Sequence, residues 1–299
     1  MKSSPIVHIG YPKCASTWLQ SDVFPLFRRR LYQKIGSPLW GELDKLLYQE
    51  RYQAGRLSDA VASAPHPVIL SREGVVFSGR HRTSLRAGRK EIAERLKSEL
   101  PGARILIVTR NQQSLVLSVY RQYIHRGGTV PFGRWLGGSS AGYTVDPAQY
   151  DFYAAVCEYM NLFGRENVLV LPYELLLERP DMFLEGLASF SGEENLFVGQ
   201  QARRRNASLS PKGVALLRTW NKWFRRSIHN TQPPLPLPFP SRHRGLFQKL
   251  VDPILIHTGS SEPSEDRALA EAFAAMFSSS NQELEALLRM DLRRLGYTV

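Results

Sequence analysis

Lys13, Ser16 and Thr17 lie close together just past a short apolar run, Ile6-Val7-His8-Ile9-Gly10. β-Branched residues in such a run read as a buried strand. Gly10 and Pro12 break it, and Ser16 and Thr17 open a helical pattern through Trp18, Leu19 and Val23. A strand, a tight loop and a helix start aim backbone N–H groups and the positive end of a helix dipole at one spot. Lys13 adds a full charge there and the two hydroxyls add donors. The chemistry expected is anion, specifically phosphate, binding. The common phosphate loop sets Lys directly before Ser or Thr and ends on a second Gly. Here Lys13 precedes Ser16 by three positions and no second Gly follows.

A second group lies farther on. Arg104-Ile105-Leu106-Ile107-Val108 reads as a central strand, Arg110 stands at its carboxyl end, and Ser118 follows about two helical turns later. Arg suits a phosphate because its planar fork offers two parallel hydrogen bonds. For a general base the candidates are Glu73, His81 and His125, with His8 placed inside the first strand. Glu73 closes the strand His66–Ser71, at the edge where open α/β sheets bind ligands; a loop salt bridge with Arg72 or Arg80 is its alternative. His81 sits between Arg80 and Arg82, whose charge disfavours the imidazolium.

Tyr11-Pro12-Lys13-Cys14-Ala15-Ser16-Thr17-Trp18-Leu19 resembles, without insertion, the 5′-phosphosulfate loop of the sulfotransferases, Y-P-K-x-x-[ST]-T-W-L, with Ala15 where that family commonly has Gly. Arg110-Asn111 with Ser118 is similar to the family's 3′-phosphate motif. The resemblance covers the nucleotide-binding portion and says less about the last hundred residues. It implies a P-loop NTPase-like α/β fold, a mainly parallel sheet flanked by helices with helical insertions. It also implies 3′-phosphoadenosine 5′-phosphosulfate (PAPS) as donor, adenosine 3′,5′-bisphosphate as product, and no metal.

By the same resemblance, Lys13 holds the phosphosulfate bridge, and the amides of residues 15–18 with the Ser16 and Thr17 hydroxyls bind the 5′-phosphate. Arg110 and Ser118 grip the 3′-phosphate, Trp18 flanks the adenine, and Arg204 and Arg205 belong to a basic loop over the 3′-phosphate. A Y-E-x-L segment, Tyr173-Glu174-Leu175-Leu176, serves structure more than chemistry. Glycan-modifying members often use a glutamate base and the small-molecule enzymes a histidine. Glu73 is therefore the first choice and His81 the second, with a glycan or glycolipid hydroxyl as acceptor.

These groups need a scaffold. With 299 residues, 43% of them hydrophobic, one elaborated α/β domain is expected over 1–299. A helical region is expected over 39–63, a charged helix over 89–100, a Gly-rich irregular segment over 127–142 and a helix over 147–163. Asn167–Leu171 reads as a strand. Ser210 caps a helix with Pro211 at its first position. A Pro-rich connector follows at 230–245, and helical faces recur over 263–296. Arg28-Arg29-Arg30 reads as a solvated helix end and Cys157 as core filling.

A net charge of +12 calls for an anionic ligand. Two cysteines make neither a disulfide framework nor a metal cluster, and no apolar stretch reaches transmembrane length, so a cytoplasmic protein is expected. A kinase or NTPase would want an Asp for magnesium where Arg110 stands. A purely anion-binding basic module is the other alternative. Nucleic acid is not an expected partner, since no nucleic-acid fold signature occurs and aromatics do not interleave the basic runs.

Overall fold

Strand formation follows the apolar runs. The computed structural model describes residues 4–32, 38–49, 52–72, 85–138, 145–193, 209–227, 229–235 and 262–299. Five parallel strands form one sheet: β1 (Ile6–Gly10), β2 (Arg30–Tyr32), β3 (Val68–Arg72), β4 (Arg104–Thr109) and β5 (Val168–Pro172), in the order β2-β3-β1-β4-β5. β1 lies beside β3 with Ile6 opposite Ile69, and beside β4 with Ile6 opposite Arg104. Every residue of β1 is buried, as is all of β4 except Arg104. A parallel sheet covered on both faces needs such near-continuous apolar strands.

The helices are α1 (Ser16–Trp18), continued by a π-helical turn over Leu19–Val23, α2 (Pro38–Tyr48), α3 (Arg56–Ala62), α4 (Leu85–Glu99), α5 (Gln112–His125), α6 (Phe132–Leu136), α7 (Phe152–Phe163), α8 (Tyr173–Glu178), α9 (Pro180–Ser191), α10 (Pro211–Phe224), α11 (Ser264–Ala275) and α12 (Ser278–Leu288). The sheet is therefore parallel and flanked by helices, as expected. Two compact units divide the chain. The first takes 1–111, 146–205 and 277–299; the second takes 112–145 and 206–276. In the first, α7 packs on β4, β5, α4 and α12, and α9 packs on β5. In the second, α5 packs against α10 and α11.

Ser210 caps α10 as its sequence promises, its Oγ accepting the Gly213 N–H at 3.1 Å with Pro211 following. Four local readings are corrected. The helical region 39–63 is two helices, because Gly55 enters the left-handed region (φ 92°) and breaks the run. The buried Glu99 carboxylate then caps α3, accepting N–H groups of Gly55, Leu57 and Ser58 at 2.6, 3.0 and 3.0 Å. The Gly-rich segment contains α6, which buries Phe132 and Trp135 completely.

Arg28–Arg30 is not a helix end: the chain runs there into edge strand β2, and Arg29 donates to the carbonyls of Ser4 at 2.7 Å and Ser191 at 3.2 Å. Cys157 is only half-buried.

Candidate functional site

The loop after β1 is built by two residues in an unusual backbone conformation. Lys13 and Ala15 have φ of 67° and 59°, and Arg289 is the only other non-glycine at positive φ among the described residues. The left-handed region crowds Cβ against the following carbonyl and costs an L-residue roughly 1–2 kcal/mol. Five residues after β1 ends at Gly10, Ala15 in this conformation immediately precedes α1. Ala15 takes up this conformation where the family's Gly would take it up without strain.

Around the loop the fit is tight. Tyr11 is fully buried, edge-on to Phe152 with ring centroids 4.8 Å apart, and burial raises its phenol pKa. Cys14 is buried, its thiol directed at the Pro12 carbonyl at 3.6 Å. Lys13 is half-buried and Thr17 exposed. Ser16 is 4% exposed, and its Oγ is buried without a hydrogen-bond partner. A buried hydroxyl of this kind is costly unless something binds it. Beside Lys13 and a helix start, it suits an anionic oxygen. Trp18 is buried and faces Phe183 edge-on at 6.3 Å, which places it among core side chains.

Arg110 comes to the same loop. Its Nη1 donates to the Lys13 carbonyl at 2.9 Å, and its guanidinium lies over the Tyr173 ring, 4.8 Å from the centroid. Two cationic residues thus share one loop. Beneath Arg110, Glu174 Oε1 accepts both the Asn111 backbone N–H at 3.1 Å and its side-chain amide at 2.8 Å. Burial raises the Glu174 pKa, against the bond from the Asn111 N–H and the pull of the Arg110 charge. The buried Tyr297 hydroxyl meets Thr109 Oγ1 at 2.8 Å at the last position of β4. Arg110 is therefore held by an aromatic face, a carbonyl and a braced backbone.

The place of Tyr173 over Arg110 goes beyond the structural role its Y-E-x-L segment suggests, and Tyr297 is not foreseen at all. Tyr173 had a signal, an aromatic directly after β5 beside Glu174. Tyr297 had none, since nothing local links it to Thr109.

The structure thus brings together Lys13, Ala15, Ser16, Thr17 and Arg110 in the first unit. Ser118 lies in the second, buried on α5. Glu73, His81, Arg204 and Arg205 lie outside the described residues. Of the remaining histidines considered as bases, His8 is sealed in β1, with Nδ1 2.7 Å from Ser71 Oγ, and burial lowers its pKa to about 3. His125 ends α5, and its carbonyl accepts from Arg225 at 2.9 Å. Among the described residues no group of three His, Cys, Asp or Glu is placed to hold a metal ion.

The fold has known counterparts. The sulfotransferase from Alicyclobacillus acidocaldarius superposes with a TM-score of 0.57 over 99% of both chains at 16% identity. The sulfotransferase domain from the curacin biosynthetic pathway aligns at TM-score 0.41 and 14% identity, covering 88% of this chain and 100% of that one. Mouse sulfotransferase SULT7A1, complexed with PAP, aligns at 0.40 and 14%, covering 74% of this chain and 64% of that one. The first of these establishes the sulfotransferase-type fold, a P-loop-like α/β architecture. No family model and no curated protein matches the sequence.

Proposed function

We propose that the protein transfers a sulfonate group from PAPS to an acceptor hydroxyl. The observation that carries this reading is the loop itself. Lys13, the buried unpartnered Ser16 Oγ and the Arg110 guanidinium on the Lys13 carbonyl lie together on a sulfotransferase-type fold. In the reaction, the bond between sulfur and the bridging phosphate oxygen breaks and a bond from sulfur to the acceptor oxygen forms. The acceptor proton passes to a base.

Lys13 stabilises the charge that grows on the departing phosphate, where a preorganised cation acts most strongly. The Ser16 and Thr17 hydroxyls and the loop amides hold the 5′-phosphate. Arg110 holds the 3′-phosphate, with Ser118, Arg204 and Arg205 as its further ligands by the sequence resemblance; Trp18, packed against Phe183, stays with the core instead of the adenine. Glu73 is the base and His81 its alternative, the acceptor being a glycan or glycolipid hydroxyl. One domain over 1–299, working in the cytoplasm, completes the reading.

Calorimetry provides the test. Adenosine 3′,5′-bisphosphate is expected to bind without magnesium and much more tightly than magnesium-ATP; the reverse order rejects the donor. Transfer from ³⁵S-labelled PAPS into an extract then identifies the acceptor. In that assay Glu73→Gln should lower turnover by roughly two to four powers of ten while donor affinity holds. Near-normal turnover in Glu73→Gln together with a dead His81→Ala moves the base to histidine and the acceptor to small phenols or alcohols.

A further inference from the structure

The positive charge of this protein is not spread along it. Residues 195–251 contain eleven of the 39 Lys and Arg and none of the 27 Asp and Glu, which leaves 28 basic against 27 acidic residues everywhere else. The described part of that stretch includes α10, and α10 turns apolar side chains to water. Leu216 is 45% exposed and Trp223 46%, about two turns apart on one stripe. Leu235, 59% exposed, is held at the end of the same helix by its N–H, which donates to the Trp223 carbonyl at 3.0 Å. Lys222 and Arg226 beside them are exposed too.

The opposite side of the helix fixes this orientation. Val214 and Asn221 are buried, and the Asn221 amide donates to the carbonyls of Ile124 and Gly128 at 2.7 and 3.0 Å.

Singly exposed apolar residues are ordinary. A Leu and a Trp on one helix face, a second exposed Leu bonded at its end, and cations beside them inside a stretch without acid are the composition of a helix that rests at a membrane interface. There the apolar bodies enter the headgroup boundary and the cations meet anionic lipid. A soluble polyanion leaves the exposed Leu216 and Leu235 without a partner, and an apolar groove on a protein has no need for a stretch free of acid. We propose that the face of α10 carrying Leu216 and Trp223, with the exposed Leu235 bonded at its end, docks on an anionic lipid surface. It lies on the bilayer; no helix among the described residues is long and apolar enough to cross one. The inference does not depend on the donor loop.

Sedimentation of the full chain with vesicles tests it. At about 0.1 M salt the protein should pellet with phosphatidylcholine vesicles containing about one-third phosphatidylglycerol and stay in solution with phosphatidylcholine alone. Leu216→Ser with Trp223→Ser, both at exposed positions, should lower the partition coefficient about tenfold or more. Lys222→Glu with Arg226→Glu should weaken it comparably, and that loss should shrink as salt is raised. Failure of the unaltered chain to bind the anionic vesicles overturns the proposal. So does binding undiminished by the Leu216 and Trp223 changes, which would leave charge alone as the cause. Capture by heparin without capture by the vesicles would assign the stretch to a soluble polyanion, against the proposal.

Discussion

Lys13 and Ala15 are the residues at which backbone strain and proposed chemistry coincide. Two of the three described non-glycine residues at positive φ fall in this one loop, and such strain persists only where the surroundings over-determine it. Ala15→Gly should raise stability by about 0.5–1 kcal/mol, the relief of Cβ crowding less the greater freedom of Gly in the unfolded chain. Urea midpoints at constant m-value measure it; a loss of stability would mean that the Ala15 methyl packs favourably. In the proposed reaction Lys13 faces charge that grows only in the transition state, so Lys13→Ala should lower turnover far more than it weakens bisphosphate affinity. Equal losses in steady-state kinetics and calorimetry would confine Lys13 to ground-state binding. Residue types and spacing singled out Lys13, Ser16, Thr17 and Arg110 as a candidate group, and the fold brings Arg110 to the Lys13 loop. What holds Arg110 in place was not legible, because Tyr297 and Thr109 are 188 positions apart and meet only once the chain is folded.

Among the elements, α4 shows how a charged sequence misleads. Arg89-Lys90-Glu91 looks like a solvated face, yet Arg89 is 5% exposed, donates to Glu158 of α7 at 3.0 Å and to the Ala148 carbonyl at 3.2 Å, and so fastens α4 to α7. Removing one partner of this largely buried pair strands the other. Arg89→Leu should cost about 3–5 kcal/mol, whereas Arg89→Leu with Glu158→Leu should recover much of that. Chemical denaturation of the two variants and the parent decides it; a double variant no more stable than the single one would show that packing, not the stranded charge, is lost. Strands β1, β3, β4 and β5 were readable because a buried parallel strand writes an apolar run. β2 was not, since its pairing with β3 is a matter of backbone and Arg30-Leu31-Tyr32 has no such run. The break before α3 depends on Glu99, forty-odd positions away, and no local pattern carries it.

For the whole molecule, His8 in the centre of the sheet sets an acid limit on stability. Burial holds its pKa near 3 instead of 6.5. Above pH 6.5 both folded and unfolded chains keep it neutral. As the pH falls below 6.5 the unfolded chain takes up a proton that the folded chain refuses, and stability drops by up to about 1.4 kcal/mol per pH unit until the folded pKa is reached. His8→Gln should flatten the slope of unfolding free energy between pH 6.5 and 4; an unchanged slope would assign the acid sensitivity to other groups.

The strand order also has a consequence in time. β1 pairs with β3 through Ile6 and Ile69 and with β4 through Ile6 and Arg104, so neither neighbour exists when β1 is made. At translation speeds of about 5–20 residues per second, β1 waits roughly 5–20 s for β4 to be made. Both hydrogen-bonding edges of this apolar strand are open until β3 is made and one stays open until β4 is made, the condition that invites pairing with another chain. The central strand of the finished sheet is thus the most exposed to misassembly during synthesis, and a nascent chain halted between β3 and β4 is where a chaperone would find it.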